Sequence, residues 1–334
     1  MPNFNTWQAG ISGMGLWGLP VGSYPGGAVL FVNSATGVNN RGRLKFPGSG
    51  AIAGSTGSAN QGPVGDPYLP LASIAYALAQ CKSGRNDCIF VQPGHQELPT
   101  TNLLINVNDV NIIGMQAGNS SDRPVIQPQA TGVTVSITGN NVVIANIIFD
   151  GTFVDDITAV VTLNAIGVSM YNVHWKLTTS THGAALGMSI TGGSGLLMEY
   201  CSCNATTATT GTTPTNFILT ATASHDHFTC RNCNFRGTFS AAIIADSSAA
   251  PFTNIEFGPN NLLYQGTSGI VCLTFQSTGT TGTVFNNVLY DNDTSKPTWI
   301  GGTNTANLIL SQNYGYYAKT GGPFSALLTP AVGT

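Results

Sequence analysis

The sequence predicts an all-β protein, a right-handed parallel β-helix of about eight coils, and two observations carry that prediction. The first is composition: only 7% of the 334 residues are charged and 41 are glycine, whereas average proteins have roughly 25% charged residues. Long amphipathic helices usually need Lys and Glu on their wet face, so this chain favours stacked strands. The second is an internal repeat every 26 to 32 residues, which is typical of solenoids.

Each copy of the repeat contains an anchor residue at which the alternation of apolar and polar residues changes phase. In the copy "NNVVIANIIFDG" (140–151), the anchor Asn146 interrupts an aliphatic run. Because alternation is the mark of a strand, a change of phase predicts a bend between two strands. A second short strand precedes each anchor strand, so one coil consists of strand, turn, strand, bend and strand. The anchors are Gly114, Asn146, Asn172, Tyr200, Asn232, Asn261, Asn287 and Asn313.

Asparagine at the bend predicts a structural ladder along the rod. A buried amide without partners costs about 1–3 kcal/mol, and stacking on the amides of the neighbouring coils would supply those partners. Each side chain could then bond to the next amide and to turn backbone. The expected members of this ladder are Asn146, Asn172, Asn232, Asn261, Asn287 and Asn313.

The segments outside the repeat are expected to cover its ends and to reach other surfaces. Leu71, Ile74 and Leu78 have helical spacing after Pro70 and predict a helix over 70–81. This helix would cap the open N-terminal end of the rod, where strand edges and core would otherwise be exposed. We expect an extended arm (1–28), a strand, loop and capping helix (29–100), the β-helix (101–317) and a C-terminal tail (318–334).

Charge and motifs exclude several classes of function. The net charge is -3 with only 11 Lys and Arg, which leaves no basic footprint for nucleic acid or an anionic membrane. No apolar run reaches the roughly 20 residues of a membrane helix. The opening residues lack the basic region of an export signal, so synthesis in a cytoplasm is expected. Phosphate loops, nucleophile elbows and dinucleotide fingerprints are absent, so no cofactor is predicted.

Paired carboxylates would indicate a glycosidase site, because hydrolysis of a glycosidic bond uses an acid and a base. Asp155 and Asp156 are adjacent, and His182 follows about one coil later. This order faintly resembles the polygalacturonase arrangement of paired Asp followed by Gly-His-Gly. The third acid and the terminal Arg-x-Lys of that family are missing, so a solvated turn is favoured. We therefore predict that the chain is not an enzyme, with a glycoside hydrolase or polysaccharide lyase as the alternative.

Cysteine and histidine supply residue types that bind zinc. Cys201, Cys203, Cys230 and Cys233 nevertheless fall at inward positions of the repeat, where other coils carry aliphatic or aromatic residues. Cysteine is a small hydrophobe in such places. We expect four buried thiols and no metal, and whether Cys201 and Cys233 are bridged stays open. His225 and His227 are expected on a loop, facing outward.

The stretch 28–97 contains a strand ending in "FVNSATG", the helix "PLASIAYAL" and then "CIFVQPGHQE". This order resembles the start of pectate-lyase-like β-helix proteins of tailed bacteriophages. The resemblance implies a structural virion protein, a capsid decoration or cement protein that stabilises the head as a homotrimer. Its partner would be the major capsid protein, and it would bind neither nucleic acid nor a membrane. It would be located on the capsid surface, after synthesis in the host cytoplasm. The alternative is a tailspike or depolymerase that binds or cleaves a bacterial surface polysaccharide. Candidate capsid contacts in the arm are Trp7, Trp17 and Leu19.

Overall fold

The computed structural model describes residues 27–39, 70–116, 122–155, 157–179, 181–206, 212–265, 271–292, 299–302, 307–317 and 324–328. The predicted fold class is confirmed: these residues form a parallel β-helix of about eight turns. Within them, α1 (Ile74–Leu78) is the single helix, and no helix there is long and apolar enough to cross a membrane.

Most strands are short because each coil must turn three corners; β10 and β13 are longer because they continue through one of them. In chain order they are β1 (Val29–Val32), β2 (Asp87–Val91), β3 (Gln96–Glu97), β4 (Leu103–Ile105), β5 (Val110–Gly114), β6 (Val125–Ile126), β7 (Val135–Ile137), β8 (Val143–Ala145), β9 (Ile148–Asp150), β10 (Ile157–Ile166), β11 (Ser169–Tyr171), β12 (His174–Lys176), β13 (Ala184–Glu199) and β14 (Ser202–Ala205). The second half has β15 (Asn216–Thr220), β16 (His225–Arg231), β17 (Cys233–Gly237), β18 (Ala242–Asp246), β19 (Phe252–Thr253), β20 (Ile255–Phe257), β21 (Asn260–Tyr264), β22 (Val271–Thr274), β23 (Gly282–Phe285), β24 (Val288–Asp291), β25 (Ile300–Gly301), β26 (Leu308–Ser311), β27 (Asn313–Tyr317) and β28 (Phe324–Leu328).

Three parallel sheets run along the rod. Sheet 1 contains β1, β2, β5, β8, β11, the end of β13, β16, β19, β20, β23 and β26. Sheet 2 contains β3, β6, β9, β12, β14, β17, β21, β24 and β27, with β28 added antiparallel at its edge. Sheet 3 contains β4, β7, the starts of β10 and β13, β15, β18, β22 and β25. Sheets 1 and 3 are continuous because β10 and β13 pass through the corner between them.

Alternate residues of the strands point into a core that runs the length of the rod. A second, smaller cluster of buried residues lies on the other face of sheet 1 and contains Phe31, Cys88, Phe90, Ile113, Ala145 and Tyr171. In sheet 2, Trp175 lies in register with Phe149 on one side and with Cys203 on the other. The rings of Phe149 and Trp175 have centroids 5.5 Å apart, and Phe217 of sheet 3 meets Trp175 edge-on at 5.2 Å. Each fully buried side chain of this size contributes about 1.5–3 kcal/mol, so the stacked rings hold successive coils together.

Helix α1 packs against β1, β2 and β4 at the N-terminal end of the rod. It spans Ile74–Leu78, which is shorter than the predicted 70–81. Ser73 caps it by accepting a hydrogen bond from the backbone N of Tyr76 at 3.2 Å. The buried carboxylate of Glu97 accepts from Ile74 N at 2.7 Å and from Ala75 N at 3.3 Å. Backbone donors that a first helical turn leaves unpaired are satisfied in this way.

The rod starts earlier than residue 101. Strand β1 pairs with β2 and β2 pairs with β5, all parallel and in one sheet, so Val29 already belongs to sheet 1. Strands β1 and β2 are therefore part of the rod. At the other end, β28 of the tail lies beside β27.

Candidate functional site

The bend between sheets 1 and 2 uses left-handed backbone, which explains its asparagines. Asn146 has φ 57°, Asn172 has φ 49° and Asn232 has φ 56°, and Asn tolerates this region better than most residues. Asn146 Nδ2 donates to the carbonyl O of Gly114 at 3.2 Å, and Asn172 Nδ2 donates to Asn146 Oδ1 at 2.8 Å. Two of the six predicted ladder members are thus joined directly.

The ladder at the bend does not extend to Asn232. Tyr200, with φ 56°, occupies the bend in the intervening coil and has no amide to continue the stack. Asn232 is exposed, and its side chain hydrogen-bonds to none of the residues that the structure describes. Its place at the bend is therefore explained by backbone conformation alone, which corrects the expectation that it is a ladder member.

The prediction that Asn261 belongs to the ladder is also wrong. It lies in register with Asn234 on sheet 2, two places beyond the bend, and its side chain is exposed. The neighbouring Asn260 takes the inward position, where it is 3% exposed. Because the sequence has two adjacent asparagines here, the repeat alone does not tell which one points inward. The alternation of buried Leu262 and Tyr264 would have selected Asn260.

A second, fully buried ladder occupies the C-terminal coils one place past the bend. Asn260, Asn287 and Asn313 lie in one register column, whereas the left-handed bend residues there are Asn286 and Gln312. Asn260 Nδ2 donates to Cys230 O at 2.9 Å, and Asn313 Nδ2 donates to Val284 O at 2.8 Å. Asn287 and Asn313 therefore stack as inner residues, which the sequence-based alignment had placed one position off.

Asp155 and His182 come together at the corner between sheets 2 and 3, while Asp156 lies outside the described residues. Asp155 Oδ2 is 3.8 Å from His182 Nδ1. Asp155 Oδ1 accepts hydrogen bonds from Gly183 N at 3.0 Å and from Thr212 N at 3.2 Å. One carboxylate oxygen thus holds the loops of the next two coils, and the other faces a half-exposed imidazole. The geometry explains a structural role for Asp155. His182 Nδ1 is buried and makes no hydrogen bond with a described residue, while the rest of the ring is exposed.

All four cysteines of the candidate zinc site are buried in the core. Burial raises the pKa of the Cys201 and Cys203 thiols well above the ordinary value, so they are protonated thiols at neutral pH. No disulfide joins them. Among the described residues no cluster of three or more His, Cys, Asp or Glu could hold a metal ion.

His225 does not face outward, and that expectation is wrong. Its ring is fully buried. Nδ1 lies 3.2 Å from the carbonyl O of Gly192, and Nε2 accepts from the backbone N of Leu196 at 3.3 Å. The partners come from the preceding coil, so the ring closes the corner between sheets 3 and 1. His227 is exposed, with Nδ1 2.5 Å from Asp226 Oδ2.

The outward side of sheet 3 carries a column of uncharged residues, of which Ser189 and Ala245 are buried at 7% exposure. Thr162 points outward, because Val161 and Leu163 on either side of it belong to the core. Residues in register with Thr162 on the other strands form one column, which we call the neutral column. Its members are Leu104, Ser136, Thr162, Ser189, Leu219, Ala245, Thr274 and Gly301. Every member is uncharged and most are small, so this surface is flat. The candidate contacts Trp7, Trp17 and Leu19 lie outside the described residues.

Comparisons with known proteins find similarity at the level of fold only. No protein-family profile matches the chain, and no curated protein matches it. A crystal structure of pectin methylesterase from Aspergillus niger in deglycosylated form is similar, at 15% identity and a TM-score of 0.45, over 89% of this chain and 86% of that one. The same enzyme in penultimately deglycosylated form gives a TM-score of 0.43. Both are enzymes, which contradicts the prediction that a chain of this kind is not an enzyme, and that prediction is withdrawn.

Proposed function

We propose that this chain is a structural protein of a tailed-phage virion, a capsid decoration or cement protein that acts as a homotrimer on the head. The opening stretch 28–97 supports the phage origin through its resemblance to phage β-helix proteins. Its partners would be sister subunits and the major capsid protein, and Trp7, Trp17 and Leu19 would contact the capsid.

The observation that carries the proposal is the neutral column of sheet 3. Packing rods side by side buries surface, and buried ions must be desolvated at a cost of several kcal/mol each. A column of Ser, Thr, Ala and Gly carries no such cost, and its small side chains allow close approach of a second rod. The exposed Leu104, at 53%, would gain roughly 25 cal/mol for each Å² that a neighbour covers.

The first test is the oligomeric state of the full-length protein. Analytical ultracentrifugation should give the mass of a trimer, and Thr162→Arg should lower that mass by placing a charge in the column. Asn261→Arg, on the exposed face of sheet 2, is the matched control and should leave the mass unchanged. A monomeric wild-type protein would contradict the trimer, and a trimer unaffected by Thr162→Arg would contradict the assignment of its interface.

The second test concerns attachment to the head. Binding is measured by co-sedimentation with phage heads that lack the protein. We expect the full-length chain to bind and a variant without residues 1–26 to be lost from the pellet, with an unchanged melting temperature. Equal binding by the two proteins would contradict a role of the arm.

A second candidate function is a tailspike or depolymerase acting on a bacterial surface polysaccharide. It is favoured by the contact between Asp155 and His182, 3.8 Å apart on neighbouring coils, since an acid beside an imidazole can move a proton. The test is degradation of host polysaccharide by the purified protein. His182→Ala should abolish degradation if this pair acts, whereas His227→Ala, an exposed histidine on another corner, should not.

A further inference from the structure

The outer surface of sheet 2 in the C-terminal coils differs from that of sheet 3. On β17, β21 and β24, the residues that alternate with the buried Phe235, Leu262 and Leu289 point away from the core. The register places Asn234 beside Asn261, and it places Tyr290 beside Tyr316 on the next strand. We call this surface the tyrosine–asparagine face; its two register columns are Asn234, Asn261, Val288 and Tyr314, and Arg236, Leu263, Tyr290 and Tyr316.

The tyrosine–asparagine face is open to solvent. Tyr314 is 44% exposed, and Asn234, Arg236 and Asn261 are exposed as well. Neighbouring parallel strands are about 4.8 Å apart, so Tyr290 and Tyr316 are adjacent in register, and both side chains are partly exposed. Exposed apolar surface beside polar groups marks a site of interaction more often than an accident of packing.

The polar groups of this face have no partner within the described part of the chain. The side-chain amides of Asn234 and Asn261 make no hydrogen bond with a described residue, and Arg236 makes no ion pair with one. The ladder asparagines Asn260 and Asn287 are the opposite case, since both are bonded. Because the sheet already holds their backbone in place, the exposed amides offer hydrogen-bond donors and acceptors without further ordering of the backbone.

A saccharide has the chemistry that this face would recognise. A sugar ring presents C–H groups on its faces, which suit the flat rings of tyrosine, and hydroxyls at its edge, which suit amides and a guanidinium. Tyrosine supplies large contact area with little loss of side-chain entropy. Nucleic acid would need several basic residues, and the face has only Arg236. A sister subunit is already assigned to the neutral column of sheet 3.

We propose that the tyrosine–asparagine face binds a polysaccharide chain, with sugar faces on Tyr290, Tyr316 and Tyr314 and hydroxyls on Asn234 and Asn261. Arg236 lies in the same register column two strands away from Tyr290, with Leu263 between them, and would donate to a hydroxyl or a carboxylate of another sugar of the chain. This binding site is distinct from the Asp155–His182 corner and does not depend on attachment to a capsid.

The test uses the full-length protein and an array of neutral and uronate-bearing bacterial oligosaccharides, followed by calorimetry with the oligosaccharide that binds most strongly. Tyr316→Ala and Asn261→Ala should each weaken binding, Tyr316→Ala by about tenfold, as expected for an aromatic anchor. Tyr316→Phe should retain binding because the ring remains. The matched control is Tyr200→Asn, which removes an exposed tyrosine at the bend and should leave affinity unchanged.

Several results would overturn the proposal. One is failure of every oligosaccharide on the array to bind the wild-type protein. Another is binding that persists in Tyr316→Ala and Asn261→Ala at unchanged melting temperature. A third is a change in oligomeric mass caused by Tyr316→Ala, which would assign the face to a subunit contact. If Tyr316→Ala does not fold, Asn261→Ala decides, because its exposed amide supports no described contact.

Discussion

Asn287 donates a hydrogen bond from Nδ2 to Oδ1 of Asn313, one coil further along the rod, at 2.9 Å. The same oxygen accepts from the backbone N of Asn287 at 3.1 Å, and Asn287 Nδ2 also reaches the carbonyl O of Phe257 at 3.0 Å. Both side chains are fully buried. The Nδ2 group of Asn287 therefore joins two neighbouring coils where water is excluded, which fixes the register of the coils, while Asn287 Oδ1 itself has no hydrogen-bond partner among the described residues.

We expect Asn287→Leu to lower the free energy of unfolding by about 1–3 kcal/mol, because Asn313 Oδ1 would lose its side-chain donor inside the core. Asn261→Leu is the matched control, since it changes an exposed amide. Its free energy of unfolding should stay within about 0.5 kcal/mol of the wild-type value. Chemical denaturation measures both values. Equal losses from the two variants would argue against a specific role for the inner ladder.

Tyr200→Asn should stabilise the protein by about 1 kcal/mol, because left-handed backbone costs most side chains roughly 1–2 kcal/mol and Asn less. The new amide could also continue the stack from Asn172. Tyr200→Ala is the control, because alanine keeps the backbone cost. Thermal unfolding of both variants tests this, and a lower melting temperature for Tyr200→Asn would contradict it.

The buried ring of His225 should make stability depend on pH. Burial lowers its pKa from the ordinary 6.5, and protonation would remove the acceptor that Leu196 N uses. Above the pKa of the unfolded chain, about 6.5, His225 is neutral in both states and its titration does not change stability. As the pH falls below about 6.5, the unfolded chain binds a proton more readily than the folded protein, so the free energy of unfolding decreases. His225→Gln should flatten this dependence between pH 7 and 5. The exposed His227, changed to Asn, should have a smaller effect; a reversed order would refute the assignment.

The buried cysteines should resist thiol reagents in the native protein. Burial raises the pKa of Cys201, Cys203 and Cys233, and the thiolate is the reactive form. A colorimetric thiol titration should label them only after unfolding, when all 7 cysteines of the chain react. Rapid labelling of Cys203 without unfolding would show that the core is open there.

The sequence was sufficient for the fold, the period of the repeat and the bend at Asn146 and Asn172, because these depend on alternation that is local in the chain. It did not settle which of Asn260 and Asn261 points inward, since a doublet satisfies the pattern in either phase. His225 was misplaced for a different reason: its partners Gly192 and Leu196 belong to the preceding coil. The spacing of Asp155 and His182 did indicate adjacent coils, but the backbone donors of Gly183 and Thr212 have no sequence signal.

The location of the protein on the particle tests the central proposal most directly. Gold-labelled antibody against the full-length protein, viewed by electron microscopy on intact phage, reports that location. We expect label distributed over the head, at many sites per particle. Label confined to the tail, or particles without label, would contradict a decoration role.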